Sequence, residues 1–96
     1  MKATIYEIQE VEKSIHEFAS YVAHVSDESE IETFYEEDVD KVFDVINPTK
    51  FPVEIDIPED VTAEGVTDYL LDEINQMLYK ENVLFVRAIA LDYELI

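Results

Sequence analysis

The chain has 96 residues, of which 24 are acidic and 6 are basic, so its formal net charge at pH 7 is −18. Affinity for nucleic acid or for an anionic membrane surface comes mainly from Lys and Arg, and this charge therefore argues against direct binding to either. The absence of cysteine excludes disulfides, thiolate chemistry and cysteine-bound metals. The natural partner of such a chain is a basic protein surface.

Composition predicts one folded domain over residues 1–96. Hydrophobic residues make up 48% of the chain, which is enough to form a core at this length. Glu7 and Glu10 interrupt the apolar region that a signal peptide needs, and the apolar runs VLFV and AIAL, separated by Arg87, are too short to span a bilayer. Together with the lack of cysteine, these features predict a cytoplasmic protein.

The first 25 residues show helical periodicity. Apolar residues recur at intervals of three and four from Ile8 to Val25, which predicts a helix over residues 5–25. Thr4 and Glu7 have the spacing of a capping box that would begin this helix. A short strand over Lys2–Ile8 is the alternative for its first residues.

A second helix is predicted over residues 30–46. Ser29 and Glu32 form another capping-box signature, and the apolar residues from Ile31 to Ile46 follow helical spacing. Asn47-Pro48 is expected to end the helix, because a residue before proline is disfavoured in helical conformation. The run IETFY is also rich in residues that favour strands, so a short strand is the alternative there.

The second half of the chain predicts a strand, a helix and a strand. Val53, Ile55 and Ile57 alternate with acidic residues, which predicts a strand over residues 51–57 with one face toward solvent. Apolar residues at helical spacing predict a helix over residues 62–80, and Asn82 is expected to mark its end. Residues 83–95 are apolar on both faces, which favours a covered or central strand. The crossover length allows parallel pairing of the two strands. The predicted fold is α+β: two N-terminal helices followed by a strand–helix–strand unit, with a small sheet covered by helices.

Sequence motifs give no sign of an enzyme or of a cofactor. Gly65 is the only glycine, so neither a P-loop nor a dinucleotide fingerprint is present. The segment DESEIETFYEED lacks the glycine of a calcium-binding loop. Glu12, His16 and His24 have helical spacing that could place a transition-metal ion, but solvent-facing imidazoles are the favoured interpretation. With so many carboxylates, a pair at catalytic distance is uninformative without a pocket.

Three further residues are interpreted structurally. Arg87 lies within an apolar run and is expected to pair with a buried carboxylate or to point its guanidinium outward with its stem packed. Phe34 and Tyr35, inside the acidic segment, are expected to pack in the core, although aromatic residues at such positions can also anchor a partner.

The segment VSDESEIETFYEEDVD, residues 25–40, holds eight carboxylates and no Lys, Arg or His. On a helix, carboxylates three or four residues apart lie close together and repel each other. A row of the same kind is predicted for Glu64, Asp68 and Asp72 on the third helix. Regularly spaced anions on a rigid scaffold imitate the phosphates of DNA.

In size, charge and acidic rows such as DESEIETFYEEDVD and EGVTDYLLDE, the chain resembles the acidic DNA-mimic proteins, many of which are phage-encoded. The resemblance implies inhibition of a host DNA-binding protein, such as a restriction enzyme, a CRISPR nuclease, a repair glycosylase or a nucleoid protein, in the cytoplasm of a bacterial host. Partner-binding residues are predicted from the carboxylate rows: Asp27, Glu28, Glu30, Glu32, Glu36, Glu37, Asp38, Asp40, Asp44, Asp68 and Asp72.

Other functions remain open. An acidic interaction module, similar to nuclease-immunity proteins, would bind its partner mainly through apolar contacts. Acidity could also serve solubility at high salt. The C-terminal strand could expose an edge that pairs with a second copy of the chain, giving a homodimer.

Overall fold

The protein alternates strands and helices around a three-stranded sheet. The computed structural model describes residues 1–14 and 28–96, with side chains from residue 32 onward in the second range. The elements follow in the order β1 (Lys2–Lys13), α1 (Glu28–Lys41), a π-helical segment (Val42–Ile46), α2 (Asn47–Lys50), β2 (Val53–Asp56), a 3-10 turn (Ala63–Gly65), α3 (Val66–Lys80) and β3 (Val86–Leu95).

The sheet has the strand order β2-β1-β3, and β1 pairs antiparallel with both neighbours. β2 pairs only with the beginning of β1, over residues 2–5, whereas β3 follows β1 along almost its whole length. β2 and β3 therefore run in the same direction but are separated by β1. The predicted parallel pairing between them does not occur, because the N-terminal strand occupies the central position.

The prediction of two N-terminal helices is wrong. Residues 2–13 form a strand, which agrees with the alternative prediction of a strand over Lys2–Ile8. Residues 15–25 of the predicted helix lie outside the described residues. The reason lies in two bulges that insert Tyr6 and Gln9 into β1. Each extra residue lengthens the spacing of the core-facing positions from two to three, so that their sequence pattern imitates a helix.

The helical arm formed by α1, the π-helical segment and α2 continues past Pro48, where the sequence predicted its end. Asn47 is helical, with φ −56° and ψ −49°, and its N–H bonds to the carbonyl of Val42, five residues earlier. Proline normally clashes with the carbonyl four residues before it. The wider π turn relieves this clash, and the arm extends to Lys50.

α3 and its C-terminal end agree with the sequence prediction. Asn82 adopts the left-handed conformation with φ 61°. The N–H of Val83 bonds to the carbonyl of Leu78 at 2.9 Å, and the N–H of Asn82 to that of Tyr79 at 3.1 Å. This is a Schellman motif, and the buried pair Val83 and Leu78 supplies its apolar contact.

All the described helices cover the same face of the sheet. Ala3, Ile5 and Ile8 of β1 join Val86, Ala88 and Leu91 of β3 in one core cluster with buried residues of the π-helical segment and α3. In the described part of the chain β3 lies at an edge of the sheet and one of its faces is exposed, so the prediction of a covered or central strand is wrong. Among the residues described, no helix has the length and apolarity to cross a membrane.

Two asparagines bond to strand edges that no strand of the described ranges covers. The side chain of Asn47 accepts the N–H of Ile8 at 2.9 Å and donates to its carbonyl at 2.9 Å, where β1 extends beyond β2. Asn75 of α3 does the same for Ala88 of β3, at 2.7 and 3.1 Å. These side chains satisfy backbone groups that would otherwise lack partners, and they attach each helical unit to a strand.

Candidate functional site

The surface of the described chain is dominated by unpaired carboxylates. Twenty Asp and Glu side chains lie in the described part; sixteen are exposed and none is buried. Four of the twenty form ion pairs with described bases: Glu12 with Arg87, Glu32 with Lys13, Asp56 with Lys2 and Glu81 with Lys50. The sheet and helices thus form a scaffold whose surface presents negative charge in several directions.

One group of exposed carboxylates lies on the helical arm and is here termed the acidic helix surface: Glu36, Glu37, Asp40 and Asp44. All four are exposed, and none forms an ion pair with a residue in the described ranges. The arm exposes them because Val42 and Ile46 bury the opposite side of the π-helical segment. At a rise of about 1.5 Å per residue, Glu36 and Asp40 are separated by about 6 Å along the helix axis.

Asp38 and Glu32 differ from the other predicted binding residues on α1. One oxygen of Asp38 accepts the backbone N–H groups of Leu84 and Phe85 at 3.0 and 2.8 Å. Glu32 pairs with Lys13 at the end of β1. Both carboxylates therefore attach α1 to the sheet. Glu28 and Glu30 belong to the first turns of α1, and Asp27 lies outside the described residues.

Asp68 and Asp72 form a second acidic group on α3. Both are exposed, and Asp72 accepts a hydrogen bond from Gln76 at 3.3 Å. They border a groove between α3 and the start of β3 that Leu71, Asn75 and Arg87–Ile89 also line. This surface is here termed the edge groove, and it belongs to a different part of the fold from the acidic helix surface.

A third acidic surface was missed by the sequence prediction. On the sheet face opposite the core, Thr4 lies between Glu54 of β2 and Glu94 of β3, and Glu7 lies directly opposite Asp92. Glu7, Glu54, Asp92 and Glu94 are all exposed; they define the open sheet face. The alternation of acidic residues in VEIDI was visible, but the predicted N-terminal helix left this strand without its true neighbour.

Nearby carboxylates help to raise the pKa values of two tyrosines and one lysine. The hydroxyl of Tyr6 donates to Glu94 at 2.8 Å, and this bond raises the pKa of Tyr6 above its usual value of 10.0. The hydrogen bond to Glu32 raises the pKa of Lys13. The pKa of Tyr69 is raised by partial burial and by nearby carboxylates, with Glu73 the foremost.

The remaining candidate residues have structural roles or lie outside the described chain. Phe34 stacks on Phe85 with ring centroids 5.4 Å apart, and Lys13 lies 5.0 Å from the ring centre of Tyr35. Tyr35 packs against the core cluster, which confirms the favoured interpretation for this residue, whereas Phe34 is half-buried against Phe85. Arg87 is exposed and pairs with Glu12. His16 and His24 lie outside the described residues. In the described ranges no three His, Cys, Asp or Glu side chains cluster as a metal site would require.

Comparison with protein-family models, with curated proteins and with solved structures gave no match.

Proposed function

We propose that this protein is a non-enzymatic DNA mimic that binds the basic DNA-binding surface of a host protein and competes with DNA for it. Restriction, CRISPR, nucleoid and repair proteins are the classes of target. The observation that carries the proposal is the acidic helix surface, where four exposed carboxylates have no ion-pair partner in the described chain. A surface selected for stability alone would place bases between them.

The open sheet face supports the same proposal. Glu7 and Asp92 are direct cross-strand neighbours, and like charges at such positions destabilise a sheet. Removing either charge would relieve this repulsion at no cost to the core, because both side chains are exposed. Binding to a partner would explain why the protein carries an arrangement of charges that lowers its stability.

Charge spacing indicates how the mimicry would work. One row of carboxylates on α1 places a charge about every 6 Å along the axis, whereas the phosphates of one DNA strand are spaced by about 3.4 Å. Glu37 lies beside this row and raises the number of charges per unit length of the helix. The proposed mimicry is therefore of the negative charge of a phosphate backbone, not of its atomic geometry.

The mechanism follows from this charge. The field of the protein steers a basic partner toward it and accelerates their association, and the complex weakens as salt screens the charges. Once bound, the protein covers the Lys and Arg side chains that DNA needs. The same charge repels nucleic acid and anionic membranes, so neither is proposed as a direct ligand.

Affinity capture tests this function. The immobilised protein is incubated with bacterial lysate at low salt, and bound proteins are eluted first with duplex DNA and then with high salt. The proposal predicts that DNA-binding proteins elute with the duplex. If the bound proteins do not bind DNA, or if the duplex leaves them on the column, the proposal fails.

A second candidate function is an acidic interaction module that binds through apolar contacts. The observation that favours it is the exposure of Phe43 and Val45 in the π-helical segment, to 37% and 49%, beside the charge of Asp44. A complex that persists in about 0.5 M NaCl, where the Debye length is only a few ångströms, but is lost in Phe43→Ala would support this candidate.

A further inference from the structure

Within residues 1–14 and 28–96, no strand covers the outer edge of β3. β3 pairs with β1 on its other side. Asn75 closes this outer edge at Ala88. Beyond that point, residues 90–95 keep the extended conformation of a strand, so their outward-facing N–H and carbonyl groups are available to another backbone.

The open edge lies between α3 and the open sheet face, and the edge groove marks where it begins, at Arg87–Ile89. On the core side, α3 lines the groove through Asp68, Leu71 and Asp72, and the hydrogen bond between Thr67 and Tyr93, 2.7 Å long, attaches the start of α3 to β3. On the other side, Asp92 and Glu94 of the open sheet face are exposed. A strand added here would have carboxylates on both sides.

We propose that an extended segment of a partner protein, with Lys or Arg at alternate positions, binds as a fourth strand along residues 90–95 of β3. Backbone hydrogen bonds to β3 supply affinity, and the alternate basic side chains lie over Asp92 and Glu94. The intervening side chains face Leu71 and the carboxylates of α3. Asn75 marks where the added strand ends. This binding mode does not require the partner to be a DNA-binding protein.

Charge decides between this occupant and a second copy of the chain. Pairing two β3 strands edge to edge would bring Asp92 and Glu94 of each copy together, in a dimer that carries twice the net charge of −18. Like charges across a strand pair are destabilising, whereas opposite charges stabilise it. A basic strand gains from the same residues that repel a second copy.

Synthetic peptides test the proposal. The probe alternates Lys with Val or Thr over six or more residues, and its binding is measured by calorimetry and by NMR shifts of the amides at 90–95. Two further peptides carry N-methyl groups on alternate amides, in one register or in the other. In an added strand only one register points at β3. We expect one methylated peptide to lose about tenfold or more in affinity and the other to bind as the parent does.

Matched protein variants separate the edge from the general field. Asp92→Asn with Glu94→Gln removes two charges at the edge and keeps an acceptor for Tyr6, whereas Glu36→Gln with Glu37→Gln removes two charges on α1. We expect only the first pair of substitutions to lower the affinity for the unmethylated peptide severalfold at about 0.15 M salt. Equal effects of the two methylation registers or of the two variants, or no binding at low salt, would overturn the proposal. So would self-association of the chain that protects the amides of residues 90–95.

Discussion

The carboxylate of Asp38 in α1 accepts the backbone N–H of Phe85, at 2.8 Å, immediately before β3 begins. The same oxygen accepts the N–H of Leu84 at 3.0 Å, and the ring of Phe85 stacks on Phe34 of α1. One acidic residue of the helix therefore holds it against the sheet, while Glu36, Glu37 and Asp40 face solvent.

Asp38→Ala is expected to destabilise the fold by about 2 kcal/mol, because two partly buried N–H groups lose a charged acceptor. The measurement is the free energy of unfolding from urea denaturation. Asp40→Ala is the matched control: it removes the same group from an exposed position on the same helix, and its effect should stay within about 0.5 kcal/mol. Equal losses in the two variants would show that Asp38 has no special structural role.

Asn47→Ala and Asn75→Ala are each expected to cost about 1–3 kcal/mol, since each removes a donor and an acceptor that satisfy one strand residue. The effects should be additive because the two asparagines bind different strands. Gln76→Ala serves as the control, since among the described residues its amide bonds only to the exposed Asp72. Thermal unfolding of the wild type, the two single asparagine variants, the double variant and Gln76→Ala checks this prediction. A loss of stability in Gln76→Ala as large as that in Asn75→Ala would contradict it.

The sequence predicted α3 and β2 well because their apolar spacing is undisturbed. Val66, Leu70, Ile74 and Leu78 are all buried on one side of α3, and β2 alternates as expected, with Glu54 and Asp56 exposed. Local chemistry determines these elements. The Schellman motif at Asn82 also follows from the residues around it.

The N-terminal strand was predicted only as an alternative over Lys2–Ile8, because bulges hide its period. Core-facing Ala3, Ile5, Ile8 and Val11 are spaced two, three and three residues apart, and only the register with β3 shows that the longer steps are bulges. Pairing with a strand more than 70 residues away leaves no local signal. The open sheet face was missed for the same reason: its acidic residues come from three separate stretches of the chain.

The sequence identified the acidic segment as the candidate binding region, but it could not show which of its carboxylates are exposed and which hold the fold together. Glu36, Glu37 and Asp40 are exposed, whereas Asp38, in the middle of the same run, bonds to the backbone of Leu84 and Phe85. Helical spacing predicts which residues share a face. It does not predict which backbone groups that face will meet.

Salt is expected to raise the stability of the fold. Carboxylates such as Glu7 and Asp92 repel each other across the sheet, and added salt screens that repulsion. The melting temperature should therefore increase as NaCl rises from about 10 mM to about 1 M, and the increase should shrink in Glu7→Gln. A melting temperature that is independent of salt, or that falls, would mean that the surface charges do not oppose folding.

Stability is expected to decrease above pH 10. The folded-state pKa values of Tyr6 and Tyr69 are raised above the value of 10.0 that an unfolded chain would show, and that of Lys13 is raised above 10.5. Groups with raised pKa values contribute stability that is fully present below the unfolded pKa and is lost as pH rises through the folded one. Urea denaturation at increasing pH measures this loss.

A titration of tyrosinate absorbance isolates the contribution of Tyr6. The difference between wild type and Tyr6→Phe gives its ionisation, and Glu94→Ala should move that ionisation to lower pH, because the hydrogen bond to Glu94 is the main cause of the raised pKa. Asp44→Ala, which changes a carboxylate on the helical arm, is the control and should leave the titration of Tyr6 unchanged. A Tyr6 that titrates identically with and without Glu94 would contradict this account.

The most direct test of DNA mimicry is competition for a purified partner identified by DNA elution. A labelled duplex is bound to that partner, and its release by the protein is followed by fluorescence anisotropy. The variants compared are Glu36→Gln/Glu37→Gln/Asp40→Asn on the acidic helix surface and Glu59→Gln/Asp60→Asn/Glu64→Gln, which removes three exposed charges elsewhere. We expect wild type and the second variant to release the duplex, whereas the first variant should need at least about tenfold more protein to do so. Release of the duplex by all three at the same concentration, or by none, would contradict this prediction.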